Sequence, residues 1–359
     1  MQPEPSPYSG RVERLRAGLA QADALLILDP KNIRYLTGFT GGDGALMIGA
    51  DWVVLLVDGR YVTQARSEAP GTEIFEFRRR VDGVAALTRQ HALGRIDFES
   101  PALSVEEYLR LLEALAGVDI RPLSEGLKFL RAVKTEHEVA KIGEAARIAK
   151  EALAAVLTMV RPGVRETDIA VELDYRMRCG GAEQVSFETI VASGPNAALP
   201  HATPGSRVIE PGDCLMVDFG AVYEGYHSDE TCTYCVGRAD SRQREVYGLV
   251  LAAHDLAIGA IRAGVACGEI DRVVRNCLER AGLADHFSHG TGHGVGLDVH
   301  EEPRLARGRE EILQAGMVVT VEPGVYLPGL WGIRIEDTVL VTEEGCRILT
   351  QTPKDLTIL

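Results

Sequence analysis

The sequence predicts two parts: an α/β domain over residues 1–126 and a larger α+β domain, internally repeated, over 127–359. Three observations predict it. Up to about residue 125, short apolar runs alternate with helix-like stretches, the pattern of an α/β layer structure. A long amphipathic stretch then opens at Thr135. Beyond it, the chain resembles itself.

Taken in order, "ALLIL", "GALMIGA" and "WVVLLVD" read as strands, and "RYVTQARSEA" as a helix stopped by Pro70-Gly71. "VEEYLRLLEALAG" is helical, with Gly117 at its end. Thr135 followed by Glu138 forms a capping box, and Pro162-Gly163 end the long helix it starts. "RETDIAVELDYRMRCGG" is a second helix, closed by Gly180-Gly181.

The repeat is read from two alignments. "RPGVRETDIAVELDYRMRCGG" matches "RAGVACGEIDRVVRNCLERAG" at a constant offset of 101, pairing Arg161 with Arg262, Gly163 with Gly264, Ile169 with Ile270 and Gly181 with Gly282. At an offset of 104, Gly212 matches Gly316, Val217 matches Val321, Asp218 matches Glu322 and Gly220 matches Gly324. "DET" at 229–231 then answers "EDT" at 336–338. Each half reads as a helix pair plus an antiparallel hairpin.

Composition narrows the function. The 38 basic and 52 acidic residues leave a net charge of −14, which argues against sequence-independent nucleic-acid binding. No apolar run is long enough to span a bilayer, and the start "MQPEPSPYSGRVERL" does not read as a signal peptide. The odd set of 7 scattered cysteines reads as reduced thiols, and with the other features predicts a cytoplasmic protein. The one CxxC, Cys232 to Cys235, lies in a strand-like context where residues three apart face opposite ways. It reads as two ordinary strand cysteines.

The hairpins carry the chemistry. Residues facing each other across a hairpin have a constant sum of residue numbers. For Asp218 and Asp229 that sum, 447, centres the turn between Tyr223 and Glu224; for Glu322 and Glu336 it is 658, centring on Gly329. The acids of each pair are then expected directly opposite one another, with Cβ atoms about 5 Å apart. Their surroundings, "CLMVDF" and "MVVTVEPGVYL", are apolar on both faces. Buried carboxylates are protonated, paired or bound to metal. Four carboxylates about two metal ions satisfy every charge. Exposed acids on a solvated face are the bland alternative. "HFSHGTGHGVGLDVHEEP" adds His286, His289, His293 and His300, with glycines that let backbone approach a ligand. His201, in "GPNAALPHATPG", lies 99 residues before His300, close to the repeat offset, so the two are expected to face each other. His91, His137, His227 and His254 read as packed or surface residues. An oxygen-rich site with about one imidazole favours Mn²⁺, with Co²⁺ or Zn²⁺ as alternatives.

At these residues the chain resembles the proline-specific metallopeptidases of the pita-bread fold, the Xaa-Pro aminopeptidases and prolidases. "VDFG…SDET", "HGTGHGVGLDVHE", "VEPGVY" and "GIRIEDT" stand in that family's order and spacing, and the match covers essentially the whole chain. The resemblance implies metal ligands Asp218, Asp229, His293, Glu322 and Glu336, with room for a water or hydroxide between two ions. It implies Glu322 as proton shuttle, His300 as oxyanion donor and His201 near the scissile nitrogen. It places His289 and Arg334 on the proline side, with Arg334 also able to buffer the carboxylates. It adds Asp58, Arg60, Tyr61 and Tyr326 as substrate contacts; Asp58 reads otherwise as a helix cap. "DGRYVTQA" resembles a motif of the aminopeptidases P, and "NIRYLTGFTGGDGAL" shows no inserted loop with an arginine for a dipeptide's free carboxylate. The expectation is therefore an Xaa-Pro aminopeptidase acting on longer peptides, with prolidase as the alternative. A homodimer is expected by base rate. Methionine aminopeptidases lack a first domain of this size. A non-catalytic binding module or a metal-free creatinase-like hydrolase would lack some of the five ligand positions, all of which stand here.

Overall fold

The computed structural model describes residues 8–17, 22–123, 127 and 129–359. The chain divides into two compact units, Met1–Leu130 and Arg131–Leu359. The division expected after residue 126 falls where residues 124–126 lie outside the described ones.

The first unit is built on one mixed sheet of β1 (Ala24–Ile27), β2 (Ala45–Gly49), β3 (Val53–Asp58), β4 (Glu73–Phe77), β5 (Arg95–Glu99) and β6 (Asp119–Leu123), in the order β4-β3-β2-β1-β5-β6. The two central pairings, β1–β2 and β2–β3, are antiparallel; the outer ones are parallel. Its helices are α1 (Ser9–Ala17), α2 (Pro30–Thr37), α3 (Val62–Glu68), α4 (Arg80–Gln90) and α5 (Val105–Ala114). β1 and β2 are buried along their whole length, as strands covered on both faces must be. Asp58 is not the cap of α3. Its carboxylate accepts the Arg60 backbone N–H at 2.8 Å and pairs with the Arg60 guanidinium at 2.6 Å. Tyr61 stands at the N-cap and makes no side-chain cap bond; its ring lies under Arg60. A short polar side chain two residues from a free N–H closes a turn more readily than it reaches the helix.

The second unit holds α6 (Glu136–Leu157), α7 (Glu166–Cys179), β7 (Gln184–Val185), β8 (Ile190–Ser193), β9 (Cys214–Phe219), β10 (Ala221–Tyr223), β11 (Tyr226–His227) and β12 (Glu230–Cys235). Then come α8 (Ser241–Ala260), α9 (Cys267–Arg280), β13 (Gly292–Gly294), β14 (Glu301–Leu305), β15 (Val318–Val321), β16 (Gly324–Leu327), β17 (Trp331–Arg334), β18 (Asp337–Val341) and β19 (Cys346–Ile348). Thr135 and Glu138 form the expected capping box at the start of α6. The repeat is visible in the elements: both limits of α9 lie 101 residues beyond those of α7, and β18 starts 107 after β12. Each half has its own core, one under α6 and α7 and one under α8 and α9. Cys232 belongs to the first core and Cys235 to the second, so the CxxC splits across the sheet as strand alternation requires.

The second hairpin has the expected register. Val321 faces Asp337 and Gly324 faces Arg334, both summing to 658. The first does not. Asp218 faces Thr231 and Val222 faces His227, both summing to 449. The turn residues are Glu224 and Gly225, at φ 44° and 77°. A two-residue turn with both residues at positive φ matches the twist of a hairpin and fixes its register. Gly225 takes the second of these positions, and the centre moves one residue on.

Candidate metal centre

All five implied ligands sit in the second unit, where its strands break or join. Asp218 is the fifth residue of β9, and Asp229 immediately precedes β12. His293 is the middle of β13; Glu322 lies between β15 and β16, and Glu336 between β17 and β18. The halves are stitched together here: Glu336 donates its N–H to the Thr231 carbonyl at 3.1 Å, and the Thr338 hydroxyl donates to the Asp229 carbonyl at 2.7 Å.

Asp229, His293 and Glu336 bring one ligand atom each within 4.8 Å of one another. His293 Nε2 stands 3.5 Å from Asp229 Oδ2 and 3.6 Å from Glu322 Oε1. The other ring nitrogen, Nδ1, lies 3.0 Å from the Gly294 carbonyl and so carries the proton. Burial, followed by the charge of His300, holds His293 down at about 3. The neutral ring therefore turns a lone pair towards carboxylate oxygens. At 3.5–3.6 Å these atoms are too far apart for a hydrogen bond and are spaced to share a cation.

The acids point the same way. Burial pushes Glu322 up to about 8, against the pull of Arg334. Asp229 and Glu336 are raised well above the carboxylate range, first by burial and then by the neighbouring acids. Asp218 Oδ1 is buried without a hydrogen-bond partner, while its other oxygen pairs with Arg334. These donors fit divalent ions.

The ligands line a cavity of about 480 Å³ together with Phe187, Ile190, Pro200, His201, His289, His300, Arg304 and Arg334. His201 and His300 both reach it, and each is exposed. The His300 ring packs edge-on against His293, with centroids 4.2 Å apart. His286 ends a short 3-10 turn, Ala284–His286, away from the cavity lining.

Three placements differ from expectation. His289 has both ring nitrogens engaged: Nδ1 donates to the Gly290 carbonyl and Nε2 meets the Tyr326 hydroxyl, each at 2.8 Å. Burial lowers it to about 4, so Nε2 accepts. Tyr326, expected to touch substrate, is buried below the cavity. Its hydroxyl accepts from Arg334 at 2.9 Å and donates to His289, because burial also pushes the phenol up to about 12. The glycines beside His293 approach not a ligand but protein: a Cβ on Gly292 would lie 2.0 Å from the Thr320 carbonyl, and one on Gly294 2.4 Å from that of Glu302.

Arg334 donates from Nε to Thr231 Oγ1 at 3.0 Å and from Nη1 to the Pro200 carbonyl at 3.0 Å, as well as to Tyr326 and Asp218. Thr231 was not read as part of the site. Its hydroxyl donates to Glu336 Oε2 at 2.6 Å. The "DET"–"EDT" correspondence contained this signal, since Thr231 is the residue that faces Asp218.

Two helix-and-hairpin halves thus bring acids and imidazoles together on one cavity suited to divalent ions. Residues 140–343 match the metallopeptidase family M24, and residues 11–133 match the creatinase/prolidase N-terminal domain. The chain belongs to family M24. It is 36% identical over 335 residues to the Xaa-Pro dipeptidase of Pyrococcus furiosus, covering 93% of this chain and 95% of that one. Among solved structures it resembles an Xaa-Pro dipeptidase from Bacillus anthracis, with TM-score 0.96, 39% identity and coverage of 98% and 100%. An X-Pro aminopeptidase from Thermotoga maritima gives TM-score 0.90 and 35% identity, covering 97% of this chain and 100% of that one. No described helix is long and apolar enough to cross a membrane.

Proposed function

We propose that the protein hydrolyses the peptide bond preceding proline, acting on Xaa-Pro dipeptides, with two divalent ions held by Asp218, Asp229, His293, Glu322 and Glu336. The observation that carries the metal reading is the His293 lone pair aimed at carboxylate oxygens. The proline and dipeptide reading is supported by the names of the relatives. When bound, such ions acidify water and polarise a carbonyl; Mn²⁺ is the ion this donor set favours.

The remaining work falls to side chains. Glu322, on the cavity wall between β15 and β16, takes a proton from the attacking water and passes it to the leaving proline nitrogen. His300, whose proton affinity is lowered first by partial desolvation at the cavity wall, retains one N–H to donate to the developing oxyanion. His201 stands on the cavity wall, placed to meet the scissile nitrogen. Phe187, Ile190, Pro200 and Ala202 give the pyrrolidine ring an apolar wall. Arg334 holds Asp218 in position through a charged hydrogen bond.

A second reading is aminopeptidase action on longer peptides, favoured by the Thermotoga structure. Hydrolysis of Ala-Pro and Ala-Pro-Ala-Ala, with Mn²⁺, after chelation and after reconstitution, separates the two. Glu322→Gln is expected to fold, to bind metal and to cleave neither peptide; turnover by metal-loaded Glu322→Gln would overturn the proton-shuttle role.

A further inference from the structure

The motifs "DET" and "EDT" each hold a second acid beside a ligand: Glu230 follows Asp229, and Asp337 follows Glu336. Successive residues of an extended chain point to opposite faces. Glu230 and Asp337 accordingly turn to the reverse side of the site; both are buried and neither lines the cavity. The stretch 349–359 is fastened across this reverse side. At one end Leu349 donates its N–H to the Thr338 carbonyl of β18 at 2.9 Å. At the other, Cys235 of β12 donates to the Thr357 carbonyl at 3.0 Å and accepts from the Leu359 N–H at 2.9 Å. Between these anchors Lys354 brings Nζ to 2.5 Å from Glu230 Oε1 and 3.4 Å from Asp337 Oδ1. Tyr247 of α8 donates to the Lys354 carbonyl at 2.8 Å. Among the described residues no other lysine or arginine pairs with either acid. His254 Nε2 stands 3.2 Å from Asp337 Oδ2 but makes no hydrogen bond there.

Each of these acids shares a peptide bond with a ligand, which places their Cα atoms about 3.8 Å apart. Whatever fixes the one fixes the backbone of the other. Buried carboxylates that face one another repel strongly where water is excluded. Without the ammonium that repulsion falls between β12 and β18, at the very points from which Asp229 and Glu336 project. We propose that Lys354 is a positioning residue for the metal centre: by binding Glu230 and Asp337 together it sets the distance between Asp229 and Glu336. The ligand atoms of those two residues lie within 4.8 Å of each other and of His293. Lys354 itself does not line the cavity, so it acts on the site through the two strand starts alone. The inference rests on the two-ion reading and not on the choice of peptide.

The test is Mn²⁺ titration of the apoprotein by calorimetry for wild type, Lys354→Met, Lys354→Arg, Asp337→Asn and Tyr247→Phe, with melting temperature as the check of folding. Groups that support metal ligands contribute about 10-fold to 100-fold in affinity, and Lys354→Met should weaken Mn²⁺ binding by that factor. Lys354→Arg keeps the charge and offers its fork to both acids, so it should retain most of the affinity. Asp337→Asn releases β18 from the ammonium while Glu230 stays paired, and should give a smaller loss. Tyr247→Phe removes an uncharged hold on the same stretch; it should lower the melting temperature and leave Mn²⁺ affinity unchanged. With Mn²⁺ in excess, kcat for Ala-Pro in Lys354→Met should rise towards the wild-type value at an unchanged KM. Wild-type affinity in folded Lys354→Met overturns the proposal; where that variant does not fold, wild-type affinity in Asp337→Asn overturns it. An equal loss of affinity in Tyr247→Phe also overturns it, because the lysine would then act only through general stability. A wild type that binds no Mn²⁺ ends the two-ion reading and takes this one with it. A wild type that binds Mn²⁺ with an affinity indifferent to Lys354 and Asp337 ends this inference alone.

Discussion

Thr231→Val removes one hydroxyl from beneath the acids and leaves the shape of the side chain almost unchanged. Thr231 is fully buried, donates to Glu336 Oε2 at 2.6 Å and accepts from Arg334 Nε at 3.0 Å. Both bonds involve an ionisable partner, and such bonds contribute about 1.5–3 kcal/mol each. The backbone bond from Glu336 to the Thr231 carbonyl survives, so Glu336 keeps its place but loses its orientation. Groups that orient metal ligands in this way contribute about 10-fold to 100-fold in affinity. Mn²⁺ titration of the apoprotein by calorimetry is the assay, with kcat/KM at saturating Mn²⁺ as a second reading. The expected result is weaker Mn²⁺ binding by that factor, with partial recovery of rate at high Mn²⁺. Affinity equal to wild type in a folded Thr231→Val protein would refute the claim that Thr231 holds the site in order.

Three further outcomes are expected. The metal-free protein should lose stability between about pH 6.5 and 8. There Glu322, raised to about 8, binds its proton more tightly folded than unfolded and contributes a fall of up to about 1.4 kcal/mol per pH unit, and the raised Asp229 and Glu336 act in the same direction. Below that window the depressed histidines His289 and His293 oppose the trend, since they favour the folded state as pH rises towards 6.5; melting curves in chelator from pH 6.5 to 8.5 check the sign, and a rise would contradict it. Tyr326→Phe cuts the chain from Arg334 to His289, leaving both a guanidinium N–H and an imidazole nitrogen unpartnered; kcat/KM should fall about tenfold or more, with Mn²⁺ affinity changed less than in Thr231→Val. Gly292→Ala places a methyl group 2.0 Å from the Thr320 carbonyl, and thermal denaturation should show destabilisation of about 3 kcal/mol or more from forced strand separation.

Much of this was legible in sequence, and the exceptions have physical causes. The repeat was readable because both halves bury the same helix face and end it with a glycine at positive φ: Gly181 at 104° and Gly282 at 69°. The register of the second hairpin was readable because Pro328-Gly329 mark its centre. That of the first was misread by two because the paired acids, rather than the turn, were used to centre it; Glu224-Gly225 held the answer. Tyr326 was placed at the substrate because a motif reports which residues gather at a site, not which way each points; β16 pairs with β17 so that Tyr326 faces Gly332 and lies under Arg334.

The displaced register of the first hairpin has an effect well away from its turn. A chain made of two like halves inherits two like pairs of acids. Here one acid, Asp218, is set against a threonine and claimed by Arg334, whereas Glu322 and Glu336 follow the undisplaced register opposite one another. The geometry of a two-residue turn thereby gives the two acid pairs unlike neighbours, one facing a threonine and tied to an arginine, the other facing across its own hairpin.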